Sequence, residues 1–294
     1  MRCSFVSCLF TRLGLLCLCL LGMTPAKAQL ATLDWTVAET LIALEAPLSS
    51  AAQKDAYHDW VGEPRLPDDT ADLGLRMQPN LELLAQTQPE RTLISPMFAG
   101  LTPRLERIAP VTSIELYTPG SDTWDEMQSI TRQLGELADR QRQAEQLIEQ
   151  TQALMARLRD ERPDTGPLLM IQFMDARHVR VFGDNSLYNA VLEQLELPNA
   201  WEETTNAWGF SLVGVEALAR YPDATLVIVD PLPAGVEEQL EQSGLWQQLP
   251  SVRHDRMLRL PPVWSFGALP SAQRFANELV DALENAPRQA LNAL

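Results

Sequence analysis

His58, His178 and His254 are the only histidines in the chain, and they lie far apart in sequence. A zinc site gathers several His and carboxylate ligands, so these three would form one only if the fold made them converge. No Gly-x-Ser-x-Gly turn, P-loop or His-Glu-x-x-His pattern occurs. The segments "GVEALA" and "FGALP" hold too little glycine to cradle a phosphate. Acidic pairs such as Glu202-Glu203 and Glu237-Glu238 fit solvated faces. No nucleophile, base or metal set is visible, so the residue types favour binding over catalysis. An exported α/β enzyme is the alternative, and a turnover assay on candidate esters separates the two.

The residues suited to binding are aromatic. Trp60 lies in "YHDWVGEP", Trp201 and Trp208 in "PNAWEETTNAWGF", and Trp264 in "PPVWSFG". Large aromatics in polar or turn-rich segments pack under something or bind something. An aromatic cleft with one or two donors is a standard small-molecule site. The alternative is that each Trp fills a gap in its own lobe. Arg76 adds a cation in "DLGLRMQPNLELL", just before a proline-marked turn.

The N-terminus is a separate matter. Arg2 and Arg12 precede the apolar run "LGLLCLCLLGM", and Ala26-Lys27-Ala28 follows. A basic start, a short apolar core and a small-x-small end describe a secretory signal peptide over 1–28, cleaved after Ala28. The run is short for a membrane span, which leaves an anchor or a lipoprotein as alternatives. All four cysteines, Cys3, Cys8, Cys17 and Cys19, fall in this leader, so the mature chain is expected to hold no disulfide and no reactive thiol. Removing Arg2, Arg12 and Lys27 from 23 basic residues leaves 20 against 39 acidic, a formal charge of −19. That disfavours nucleic acid and anionic lipid as partners, and suits a periplasmic protein with a neutral or cationic ligand.

The elements that would position these residues alternate. "LATLDW" reads as a strand, "VAETLIALE" as a helix, "NLELLAQTQ" as a helix, and "RTLIS" and "VTSIEL" as strands. From Thr123 to Arg162 helix formers run without proline. A break near Gly135 would leave a second helix of ~20 residues, about 30 Å long. Ala144, Leu147, Ile148, Leu154, Met155 and Leu158 mark its apolar face. Alternation then resumes: "PLLMIQF", "HVRVFG", "TLVIVD" and "DRMLRLP" as strands, "SLYNAVLEQLEL" and "VEEQLEQ" as helices, and "SAQRFANELVDALENA" as a capped closing helix. The expected fold is α/β: an N-terminal lobe over 29–138, a bridging helix over 139–162 and a C-terminal lobe over 163–294. Mainly parallel sheets would be flanked by helices, with a ligand cleft between the lobes.

Three stretches carry a family resemblance: "YHDWVGEPRLPDDTADLGLRMQPNLELL", "RHVRVFGDNSLYNAVLEQLELPNAWEETTNAWGFSLVGVEALA" and "LPPVWSFGAL". In order, they resemble the periplasmic iron(III)-hydroxamate siderophore-binding proteins of ABC importers, through nearly all of the chain after the leader. The resemblance implies two lobes bridged by a rigid helix, a shallow cleft, and no enzymatic activity. It places Arg76 in the cleft as a donor to hydroxamate oxygens, which a planar guanidinium suits. It makes Trp60, Trp208 and Trp264 cleft residues and puts Trp201 at or near the C-lobe wall. Iron would be held by the chelator, with no metal ligand from the protein and no cofactor. The partners implied are a ferric hydroxamate siderophore and an inner-membrane permease, met by a monomer. Glu106 and Glu216 are candidate docking residues, with solvated surface glutamates as the alternative.

The chain departs from the family pattern in three places. Phe98 and Phe266 stand where tyrosines are expected. A lost hydroxyl contact costs roughly 0.5–1.5 kcal/mol. Arg180 stands where an apolar cleft residue is expected, either supplying donors from the second lobe or sitting exposed on its strand. Rival ligands of the same architecture are cobalamin, haem or another siderophore type. Haem asks for a Tyr or His axial ligand, and a triply anionic catecholate asks for more cations than Arg76 and Arg180.

Overall fold

The computed structural model describes residues 29–286. The expected leader and its cleavage point lie outside them, as do the four cysteines. Two five-stranded sheets organise the chain. The first has the order β3-β2-β1-β4-β5 and is parallel throughout, with β1 Leu30–Thr32, β2 Leu48–Ala51, β3 Ala71–Asp72, β4 Arg91–Ile94 and β5 Val111–Ser113. The second has the order β10-β9-β6-β7-β8. Its strands β6 Leu168–Phe173, β9 Thr225–Val229 and β10 Met257–Leu260 are parallel, while β7 His178–Phe182 and β8 Phe210–Gly214 run antiparallel.

In the first sheet β1 is followed by β2 on one side, while β4 and β5 lie on the other. The order therefore reverses between β1 and β4. Such a switch point opens a crevice beyond the carboxyl ends of the strands. The helices α1 Trp35–Ala43, α2 Lys54–Trp60 and α3 Leu81–Gln86 belong to this half.

Two long helices, α4 Thr123–Leu137 and α5 Gln141–Glu161, connect the sheets. The expected break near Gly135 falls instead at Ala138–Arg140, and Gly135 stays helical. A Cβ on Gly135 would lie 2.7 Å from the Ala144 Cβ, so this glycine marks a close crossing of the two helices. α5 spans 21 residues and buries Ala144, Leu147, Ile148, Thr151, Met155 and Leu158. The expected Leu154 is half-buried against the same core, and Thr151, which the apolar pattern did not include, is buried on this face. Its hydroxyl donates to the Leu147 carbonyl at 2.6 Å and accepts from Gln273 Nε2 at 2.7 Å.

Helices α6 Leu187–Gln194 and α7 Leu269–Asn285 complete the packing, and one hydrophobic core runs from α1 through α4 and α5 into α6 and α7. α7 begins at Leu269 without the side-chain cap expected from its own sequence. Glu39 on α1 accepts from the Ala268 N–H at 2.7 Å instead, so the first half caps the last helix. Among the described residues, no helix is long and apolar enough to cross a membrane.

Candidate ligand site

Asp34 closes β1 and opens α1. Its Oδ1 accepts from the backbone N–H groups of Thr36 at 2.8 Å and Val37 at 3.3 Å, an N-cap. Its Oδ2 accepts from Ser95 Oγ at 2.7 Å, which ties the ends of β1 and β4 together at the switch point.

Arg76 enters from the loop between β3 and α3. Asp72 Oδ1 accepts from the Gly74 N–H at 2.9 Å, and Gly74 takes φ 72°, a left-handed turn that glycine makes without strain. The guanidinium then lies over the Trp35 indole, 4.5 Å from its centroid, with Phe98 at 5.0 Å and Trp264 at 5.8 Å. Nε donates to the Leu33 carbonyl at 3.0 Å, and Nη2 sits 3.7 Å from Asp34 Oδ2. Burial pulls this arginine below its ordinary range and Asp34 acts in the opposite direction. The guanidinium stays charged, and most of its five N–H donors remain free.

The wall opposite comes from the loop after β10. Trp264 packs edge-on against Trp35 at 5.0 Å and Phe266 at 5.2 Å. Its Nε1 donates to Thr36 Oγ1 at 3.1 Å, and that hydroxyl donates to the Phe266 carbonyl at 2.7 Å. Trp208 reaches Phe266 at 5.6 Å and Tyr117 at 6.4 Å. The Tyr117 hydroxyl donates to the Gly267 carbonyl at 2.9 Å. Aromatics of both halves thus form one lining, held by hydrogen bonds that spare the ring faces.

Arg180, on β7, completes it. Its guanidinium lies 4.9 Å from the Phe210 ring and 5.6 Å from Phe266. Nη1 donates to Gln172 Oε1 at 3.3 Å. Gln172 is buried and also accepts from Ser265 Oγ at 3.3 Å. The space these walls line is about 600 Å³.

The structure brings together Trp60, Arg76, Arg180, Trp208, Trp264 and Phe266 around this cavity. It sends two expected site residues elsewhere. Phe98 packs with Leu33, Leu73, Ile94 and Leu105 behind Arg76, because an apolar ring ending a tight turn is better buried than wetted. The adjacent Met97 faces the cavity instead. Trp201 is buried in the core of the second sheet, 5.5 Å from the Tyr221 ring. Glu106 and Glu216 are exposed and do not line the cavity. The three histidines do not meet: His178 pairs with Asp175 at 2.9 Å, and His254 Nδ1 lies 2.8 Å from the Pro250 carbonyl.

Asp34, Trp35, Ser95 and Tyr117 also line the cavity and escaped the sequence reading. "LDWT" carried the available signal: an Asp N-cap ahead of an apolar helix places Trp35 at the crevice. Reading "LATLDW" as one strand hid it.

Comparison with known proteins identifies the class. Residues 30–263 match the "Periplasmic binding protein" family, and the chain belongs to it. The chain is 33% identical over 257 residues to the iron(3+)-hydroxamate-binding protein FhuD of Escherichia coli (strain K12), covering 87% of this chain and 86% of that one. It superposes on the Fe3+-Desferal-bound siderophore-binding protein FhuD of Vibrio cholerae with TM-score 0.82 and 27% identity, covering 89% of this chain and all of that one. A more distant match in fold is FeuA of Bacillus subtilis, complexed with ferri-bacillibactin, at TM-score 0.72 and 16% identity, covering 89% and 93%. These relatives are binding proteins, not enzymes.

Proposed function

We propose that this protein captures ferric hydroxamate siderophores in the periplasm and delivers them to an inner-membrane ABC permease. One observation carries the reading: the Arg76 guanidinium is held on an indole with most of its donors free, inside a largely apolar cavity. A ferric hydroxamate presents the complement, oxygens with partial negative charge around an iron already saturated by its chelator. The aromatic lining then serves the variable organic backbone, whose shape it need not read closely. The two relatives that bind hydroxamate-type ligands, by their names, support the same substrate class.

The test is a titration followed by quenching of tryptophan fluorescence. Ferrichrome and ferric desferrioxamine B are the ligands; cobalamin, haemin and a ferric catecholate are controls. Saturable quenching by the hydroxamates is expected. Arg76→Ala should weaken it roughly tenfold or more, since hydrogen bonds to a charged group contribute about 1.5–3 kcal/mol. Clear binding of a control with no response to either hydroxamate would sink the proposal. Glu106 and Glu216 remain the docking candidates, one in each half. Charge reversal at both should lower stimulation of the permease ATPase while ligand affinity holds, and unchanged stimulation would discard them.

A further inference from the structure

The two arginines of the cavity differ in one respect that decides what the cavity selects. Arg76 has an acidic partner, Asp34. Arg180 has none among the described residues: its protein contacts are one hydrogen bond to the neutral Gln172 and two aromatic rings. Burial pulls Arg180 below the ordinary arginine range, and Tyr188 is the only group acting in the opposite direction. A half-buried cation without a counter-charge is costly, and an incoming anion offsets that cost.

The remaining charges near the cavity do not supply the anion. Asp34 is engaged by Arg76, Ser95 and the α1 N-terminus. Glu115 lines the cavity but is exposed, where water and salt screen it. Asp122, Asp184 and Glu193 line a separate polar pocket. The geometry around Arg180 also suits one kind of anion. Phe210 and Phe266 flank the guanidinium while Gln172 engages Nη1. The free N–H groups can then meet a carboxylate in parallel, two bonds at once.

We infer that Arg180 is a charge-selecting residue: the cavity prefers ferric hydroxamate complexes that carry a carboxylate, which Arg180 receives on the wall formed by the second sheet. This rests on the hydroxamate reading above and narrows it. A ferric trihydroxamate core is neutral, since three hydroxamate anions balance one Fe3+. Net charge therefore comes from pendant groups, and a surplus cation in the wall distinguishes complexes that share the same iron centre. The strongly acidic exterior would by itself favour neutral or cationic ligands, so selection for an anion has to originate inside the cavity.

The test keeps the chelate constant and varies only its free end. Ferric desferrioxamine B is titrated with its native ammonium end, with an N-acetylated neutral end and with an N-succinylated anionic end. The mature wild-type protein should bind the succinylated complex about tenfold more tightly than the acetylated one, and the ammonium form least tightly. Arg180→Gln should bring the three affinities within about threefold of one another. Arg180→Lys, which keeps the charge without the planar fork, should retain a smaller preference for the anion. Equal affinities for the three ends in the wild type, a preference for the ammonium end, or a preference that survives Arg180→Gln would each overturn the inference while leaving the hydroxamate reading intact. Failure of the wild type to bind even the neutral complex would overturn both.

Discussion

At the scale of single residues, the site divides by how far each side chain's role depends on its neighbours in space. Arg76 and Trp264 were legible because a cation or a large aromatic in a turn-rich segment is unusual by itself. Phe98 and Trp201 were misplaced because only the fold decides whether such a ring packs inward or faces a cleft. Glu39 was invisible, since nothing in "VAETLIALE" shows that its carboxylate will be buried under another helix. It is fully buried, and burial pushes its pKa from the ordinary 4.5 up to about 8, despite the hydrogen bonds to Ser271 and Ala268 that act the other way. An acid raised in the folded state binds its proton more tightly there than in the unfolded chain. Its contribution to stability is therefore complete below the unfolded value and is lost as pH rises through the folded one. Glu39→Gln keeps an acceptor for Ala268 N–H and removes the titration. Urea unfolding from pH 5 to 8 should show the wild type losing stability relative to Glu39→Gln, with a slope approaching about 1.4 kcal/mol per pH unit. Parallel profiles for the two proteins would refute the assignment.

At the scale of elements, strands with long apolar runs and helices with a clear 3.6 period were readable. β6, β9, β10 and α5 fall within the stretches expected of them, and α7 begins two residues ahead of its expected stretch, at Leu269. β2, β3 and β8 were missed: β3 has two residues, and "LSSA" is too polar and short to carry a period. Gly135 is the more instructive error. A glycine inside a helical pattern suggests a break, but here it lets α4 and α5 approach, with Ala144 as the facing small residue. A larger side chain must push the helices apart or leave its rotamer. Gly135→Val should destabilise the protein by about 1–3 kcal/mol despite the better helix propensity of valine. A urea midpoint equal to or above that of the wild type would show the crossing to be loose.

At the scale of the whole molecule, the question is how far the halves move when a ligand enters between them. α5, about 30 Å long, packs against α4, α6 and α7 within one continuous core. Three cross-ties add to it: Trp264 Nε1 to Thr36, the Tyr117 hydroxyl to the Gly267 carbonyl, and Ala268 N–H to Glu39. A large rotation would break these bonds in buried surroundings, each costing about 1–3 kcal/mol if left unsatisfied, with nothing in the cavity to replace them. Two of them, at Trp264 and Tyr117, lie in the lining itself, so the cavity exists before the ligand arrives. We expect binding with little closure. No cysteine follows Cys19 in the sequence, so a mature chain carrying Glu106→Cys and Glu216→Cys would present two unique thiols, one in each half. Spin labels there should report a mean distance that changes by less than about 2 Å when ferrichrome saturates the protein. A change of about 10 Å would mean that α5 and the cross-ties do not hold the halves, and that the cavity forms only on closure.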